Sequence, residues 1–285
     1  MSPTDANSGL SGLRVCAFES RKASEMRVLL ERHGAAATIA PSMREVPIED
    51  NPEAFEFAER LFAGKIDMVI LLTGVGTRAL AETLETKYDR AKFVAALEGC
   101  TVVVRGPKPA AVLREWKVRI DHQVPEPNTW HDLVAMLDAK LPVANKAVAV
   151  QEYGEPNPEL YAALAQRQAE VVRVPVYRWA LPHDTSPLRA AIETTITGDF
   201  DVLMFTSAQQ LRNVLAVADS AGLRDRWLSA ARRCVIASIG PTASETLREA
   251  GLAPDVEPEH PKMGHLVQAA ARGALHVLET KRKSP

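Results

Sequence analysis

Asp201-Val202-Leu203-Met204-Phe205-Thr206-Ser207-Ala208-Gln209-Gln210-Leu211-Arg212 reads as a buried strand, a turn and the first turn of a helix. At a distance of 134 residues upstream stands Asp67-Met68-Val69-Ile70-Leu71-Leu72-Thr73-Gly74-Val75-Gly76-Thr77-Arg78, with the same order of apolar run, hydroxyl turn and helical spacing. The same offset carries Gly64 onto Gly198, Cys100 onto Cys234 and Gly106-Pro107 onto Gly240-Pro241. It carries Leu113-Arg114-Glu115 onto Leu247-Arg248-Glu249, Asp121 onto Asp255, Pro127 onto Pro261 and His131 onto His265. Earlier in the chain Leu30, Pro41 and Arg44 meet Leu164, Pro175 and Arg178. No gap is needed, and the matches fall at strand starts and turns, so the chain reads as a duplication. A solenoid needs at least about three repeats to bury its faces, so two copies point to a pseudo-symmetric pair of domains.

Working outward, Val15–Phe18, Met68–Leu72, Thr101–Val104, Ala147–Val150, Val202–Phe205 and Val235–Ser238 are short apolar runs suited to strands buried on both faces. Helical periodicity follows each, over Ser24–Arg32, Arg78–Leu84, Ala110–Trp116, Pro158–Arg167, Leu211–Ala218 and Ala243–Ala250. This alternation predicts two doubly wound α/β domains with mainly parallel sheets. Met43–Glu49 and Tyr177–His183 are extended, contain or abut proline and lack helical spacing, as crossings between domains would. The expected division is 10–40 with 184–275 as one discontinuous domain and 52–174 as the other. Residues 41–51 and 175–183 are then linker strands, and 1–9 and 276–285 flexible ends. Two crossings would leave a hinged cleft, a usual place for a ligand.

Composition narrows the classes. A formal net charge of -2 gives no global attraction to nucleic acid or to an anionic membrane. No apolar run reaches the roughly 20 residues of a membrane span, and the start lacks the apolar core of a signal peptide. A cytoplasmic protein is expected, with a monomer as the default. Cys16, Cys100 and Cys234 sit in apolar runs without CxxC spacing, as buried reduced thiols do. Gly74-Val75-Gly76 is only a fragment of a dinucleotide fingerprint, and none of the seven histidines forms HExxH or a paired ligand spacing. The expectation is no cofactor and no metal. No GxSxG elbow is present. Glu152, Glu155 and Glu159 form an acidic loop beside Tyr153 that a solvated face explains equally well, and Lys281-Arg282-Lys283 reads as a solvated basic tail.

In open α/β sheets, ligands bind beyond the carboxyl ends of the strands. Ser20, Arg21, Thr73, Gly74, Arg105, Gly106, Pro107, Lys108, Gly154, Ser207, Ala208, Gln209, Gly240, Pro241 and Thr242 are placed there by this reading. Glycine and early-helix proline allow tight turns whose helix amides face outward, a geometry that holds carboxylates.

Phe205-Thr206-Ser207-Ala208 after a strand, then Ile239-Gly240-Pro241-Thr242-Ala243, resembles the C-terminal signature of uroporphyrinogen-III synthases. Leu72 to Thr77 and Val104-Arg105-Gly106-Pro107-Lys108 resemble that family's first-copy loops, and Pro175-Val176-Tyr177 its tyrosine-bearing linker. Arg21 sits where members commonly carry an arginine. The likeness runs over roughly 13–273, and it departs from the family in lacking a proline near Ser20-Arg21-Lys22 and in having Lys108 where the second copy has Thr242. It implies two α/β domains joined by a two-stranded ladder. It also implies a cofactor-free lyase that cyclises hydroxymethylbilane with loss of water and inversion of the terminal ring. A transient contact with hydroxymethylbilane synthase belongs with that expectation. Tyr177 would be the proton donor that assists loss of the hydroxyl, since a phenol of ordinary pKa near 10 stays protonated at neutral pH. Its pseudo-symmetric mate, Met43, has no proton to give. A binding protein of the same shape for a small anionic ligand is the rival reading; an exported solute-binding protein is disfavoured by the start of the chain.

Overall fold

A computed structural model describes residues 9–48 and 50–283. In chain order the elements begin with β1 (Arg14–Ala17), α1 (Ala23–Arg32), β2 (Ala36–Ile39) and β3 (Arg44–Pro47). There follow α2 (Pro52–Phe62), β4 (Met68–Leu71), α3 (Gly74–Glu85), α4 (Arg90–Ala96), β5 (Thr101–Val104), α5 (Pro107–Glu115), β6 (His122–Gln123) and α6 (Trp130–Lys140). Next come β7 (Ala147–Gln151), α7 (Pro158–Gln166), β8 (Glu170–Val174) and β9 (Tyr177–Ala180). The chain ends with α8 (Ser186–Thr197), β10 (Val202–Phe205), α9 (Ala208–Ser220), α10 (Arg224–Ala231), β11 (Val235–Ser238), α11 (Pro241–Glu249) and α12 (Met263–Lys283). It divides into two compact units, one holding the chain up to Arg44 and from Ala180 onward, the other Glu45–Trp179.

The first unit contains a parallel sheet of order β11-β10-β1-β2, and the second a parallel sheet of order β6-β5-β4-β7-β8. The duplication is visible element by element: β4, β5, β7 and β8 answer to β10, β11, β1 and β2. The single bridge between Ala237 and Val256 stands where the second unit has β6. The chain passes between units within β3 and returns within β9, and these two strands pair in a small sheet of their own. Val176 and Tyr177 are part of the second unit's apolar core, and Asn51 caps α2 through its bond from the Ala54 amide. Part of the segments read as linkers therefore packs with this unit.

Alternation along each strand explains why both sheets are covered on two faces. In the second unit Val69, Leu71, Val102, Val104 and Ala149 point toward α2, α3 and α5, while Met68, Ile70, Val103, Val148 and Val150 point toward α6 and α7. In the first, Cys16, Leu203, Phe205 and Ile236 face α8, α9, α10 and α11, and Val15, Val202, Met204 and Val235 face α1 and α12. Each such aliphatic side chain is worth about 1.5–3 kcal/mol buried. Continuous apolar runs are what two buried faces demand.

The basic tail departs from its reading as flexible and solvated: α12 continues to Lys283, with Leu278 buried. Lys281 donates to the Cys234 carbonyl at 2.7 Å and to Asp255 at 2.6 Å, and Arg282 reaches Asp201 at 2.8 Å. Partners this remote in sequence leave no local trace in a short basic run. The other end, read as flexible over 1–9, falls outside the described residues except for Gly9.

Aspartates fasten the starting ends of the strands. The Asp201 carboxylate accepts from the Arg14 amide at 2.8 Å, and Asp67 accepts from the Ala147 amide at 2.7 Å. Asp255 and Asp121 do the same for Ile236 at 2.8 Å and Val102 at 2.7 Å. Burial pushes the Asp201 carboxyl up, but the Arg14 hydrogen bonds and the charges of Arg14 and Arg282 outweigh it, and its pKa lies below the ordinary value. A depressed folded-state pKa stabilises above the unfolded value, near 3.9, and that share disappears as pH falls through the folded value. Asp201→Asn should cost about 1.5–3 kcal/mol in urea unfolding at pH 7. The gap between variant and wild type should close below about pH 4; a gap unchanged there would exclude the ionic contribution.

Candidate functional site

Because the strands of the four-stranded and five-stranded sheets are parallel, the loops after β4, β5 and β7 leave the second unit's sheet at one end, and those after β1, β10 and β11 leave the first unit's sheet in the same way. The sequence-derived loop residues thus divide into two sets.

In the second unit, Thr73 caps α3, its hydroxyl accepting from the Gly76 amide at 3.0 Å. Gly74 lies so close to the start of α5 that a Cβ there would stand 2.9 Å from the Lys108 carbonyl oxygen. The α3 and α5 N-termini are therefore neighbours. Gly106 begins α5 without a side-chain cap. Pro107 and Pro109 carry no N–H, so Lys108 supplies the lone amide of that first turn. This loop is poorer in backbone donors than its Gly-Pro motif suggests, and the side chains Arg105 and Lys108 bring the positive charge.

Arg105 is the most informative of them. Its guanidinium lies over the Tyr153 ring, 5.0 Å from the centroid. Among the described residues it has no carboxylate partner and no side-chain hydrogen bond. Burial lowers its pKa, offset by the neighbouring phenols of Tyr153 and Tyr177. Trp179 ties these groups together. Its indole N–H donates to the Tyr153 carbonyl at 2.8 Å, and its ring meets Tyr177 edge-on at 5.1 Å. Tyr177 is 3% exposed, packed in the unit's core on one side. It also lines a groove of about 1010 Å³ bounded by Ile48, Pro52, Phe55, Val75 and Arg78.

Glu152 corrects the reading of a solvated acidic loop. It is 4% exposed and accepts from Tyr161 and from Arg173, both at 2.8 Å. The neighbouring Gln151 is also buried and accepts from the Thr73 amide at 3.3 Å. Together these side chains fix the loops after β4 and β7.

In the first unit the Ser20 hydroxyl accepts from the amides of Ser42 and Met43, both at 3.1 Å, which holds the approach to β3. Arg21 and Thr242 are exposed. Ser207 caps α9, accepting from the Gln209 amide at 3.2 Å. Gln209 is buried and donates to Asn213 at 2.8 Å, while its side-chain carbonyl oxygen has no partner among the described residues. Ala208 occupies the place that Gly74 takes in the other copy. Gly240 precedes Pro241 without a side-chain cap, so the first amides of α11 are unclaimed by any cap. The sequence reading missed Glu19, a buried carboxylate that joins the β1 and β10 loops. It accepts from the Lys22 amide at 3.0 Å, from Gln210 at 3.3 Å and from the Thr206 hydroxyl. Its place at the strand end, directly before Ser20, was the available signal.

A family model described as uroporphyrinogen-III synthase HemD matches residues 24–268. A Bacillus subtilis (strain 168) protein described as uncharacterized protein YjjA is 28% identical over 268 residues, which is 93% of this chain and 97% of its own. A mutant uroporphyrinogen III synthase from the extremely thermophilic bacterium Thermus thermophilus aligns with a TM-score of 0.73 at 25% identity, covering 93% of this chain and 100% of that one. The wild-type enzyme in another crystal form gives 0.57 at 26% identity, covering 93% and 99%.

Gly154 has a structural reason of its own. Its φ is +93°, and a Cβ would stand 2.2 Å from the Trp179 indole nitrogen. Backbone strain alone costs a non-glycine residue about 1–3 kcal/mol in such a region. Gly154→Ala should therefore lose at least that much in denaturant unfolding and shift the tryptophan fluorescence. Adding Trp179→Ala should relieve the steric share only. An unshifted spectrum in the single variant would contradict this packing.

Proposed function

The chain belongs to the uroporphyrinogen-III synthase family, and on that premise we propose that it converts hydroxymethylbilane to uroporphyrinogen III, losing water and inverting the terminal ring. The observation that carries the proposal is Arg105, a desolvated guanidinium without a carboxylate partner among the described residues, set beside two phenols. An unpaired cation removed from water is costly unless an anion completes it. The substrate bears eight carboxylates, so a site that holds it must supply positive charge and amides at several points. Lys108 and the α3 start, in the same unit as Arg105 and close to one another, supply donors of that kind.

Tyr177 is the proton donor of this reading. The proton passes to the leaving hydroxyl, the carbon–oxygen bond breaks, and the ring nitrogen lone pair feeds the electron-poor carbon. That carbon is attacked by the already substituted carbon of the terminal ring. The resulting spiro intermediate fragments and recloses with that ring inverted. The open chain also cyclises unaided to the uninverted isomer, so the protein's larger task is to hold the two ends in the other geometry. A placed acid adds roughly 10²- to 10⁴-fold.

The test generates hydroxymethylbilane in situ with its synthase, adds this protein, oxidises the products and separates the type I and type III uroporphyrins. The expected result is a protein-dependent switch to type III. Type I alone from a folded sample would favour the alternative, a binding protein for an anionic ligand on the same scaffold. Tyr177→Phe should slow turnover without abolishing it, and an unchanged rate would remove Tyr177 as the acid.

A further inference from the structure

We propose that Arg105 acts through Tyr177, its guanidinium taking up the negative charge left on the phenol oxygen when Tyr177 gives its proton away. This rests on Tyr177 as the donor in the reaction above and adds a positioning residue to it.

Three features carry the inference. The first is that Arg105 lacks any anion among the described residues, so its charge is available to a neighbour. The second is the frame around it. Tyr153 lies under the guanidinium at 5.0 Å, the Tyr153 carbonyl holds the Trp179 indole at 2.8 Å, and Trp179 holds the Tyr177 ring at 5.1 Å. Tyr177 and Trp179 are two apart on β9 and so share a face of the strand. Gly154 admits this arrangement by leaving room for the indole. The third is environment. Arg105 is half-buried, unlike the exposed Lys108 on the same loop. In such surroundings an opposite charge matters far more than it does in water.

The step balances. The Tyr177 O–H bond breaks and its proton goes to the substrate hydroxyl. The carbon–oxygen bond then breaks with its electron pair on oxygen, and water leaves. A cationic carbon and a phenolate remain, and Arg105 offsets the charge of the phenolate. Ring closure ends with loss of a proton from carbon, which restores the phenol. Without Arg105 the phenolate would form without that charge in a site that burial makes hostile to it.

The coupling can be read without substrate. The chain has four tyrosines, so the difference in ultraviolet pH titration between wild type and Tyr177→Phe isolates the Tyr177 ionisation. The same difference taken in an Arg105→Gln background should show a midpoint higher by about one pH unit, with Arg105→Lys restoring most of the shift. Equal midpoints in the two backgrounds overturn the proposal. In turnover, Arg105→Gln should lower kcat about tenfold when Tyr177 is present and change it little in the Tyr177→Phe background. Equal losses in both backgrounds, or a loss confined to KM, would make Arg105 a substrate-carboxylate ligand and overturn its action through Tyr177. A shifted midpoint in a protein that makes no type III isomer would uphold the coupling and overturn the assigned reaction.

Discussion

Each sheet depends on a carboxylate placed just before a strand. Asp67 and Asp201 sit at the starts of β4 and β10, and each both donates to and accepts from the first residue of the neighbouring strand. Asp121 and Asp255 repeat the arrangement one strand further out. Parallel strands have no tight hairpin to set their register, and a slip of one residue would exchange the two buried faces. The aspartate pairs hold the register at the start of the strands. The same strands deliver Thr73, Arg105, Ser207 and Gly240 to the other end of their sheets. Loop chemistry therefore depends on clips located at the opposite edge.

Much of this was legible because buried parallel strands write themselves as uninterrupted apolar runs. Thr101–Val104, Val202–Phe205 and Val235–Ser238 were read with the boundaries the structure shows. The edge strands were not. β2 is Ala-Ala-Thr-Ile with no fully buried residue, and β8 is mostly half-exposed, so neither leaves a continuous run. The helix starts at α3, α9 and α11 extend further upstream than periodicity indicated, since the glycine, alanine and proline of a first turn carry no apolar stripe. At the candidate site, Arg105 and Tyr177 were both legible as residues, but the frame that relates them was not. Trp179 and Tyr153 are joined by a side chain bonding to a remote carbonyl, which no spacing rule encodes. Glu152 was misread for a similar reason, because its partners Tyr161 and Arg173 lie on a helix and a strand still to come in the chain.

The two copies have kept one scaffold and diverged at its working end. Where the first copy has Arg105-Gly106-Pro107-Lys108-Pro109, the second has Ile239-Gly240-Pro241-Thr242-Ala243. The first exchanges amides for cationic side chains, and the second keeps its amides and carries no charge in that stretch. Tyr177 against Met43 continues the pattern, as does Gly74 against Ala208. Mobile point charges and fixed backbone dipoles recognise anions differently: the former tolerate varied positions, the latter demand one.

The central strand of the first unit, β1, pairs with β2 on one side and with β10 on the other. A ribosome delivers β1 first and its partner, which begins at Val202, only after the whole second unit has emerged. At about 5–20 residues per second the intervening chain takes roughly 10–40 s to synthesise. Throughout that interval Val15, Cys16 and Ala17 lack half of their sheet, and by its end every element of the second unit has been made. Nascent chains should therefore become protease-resistant in the middle before they do so at the front. The interval during which a chaperone would be needed is set by the insertion of one unit within the other.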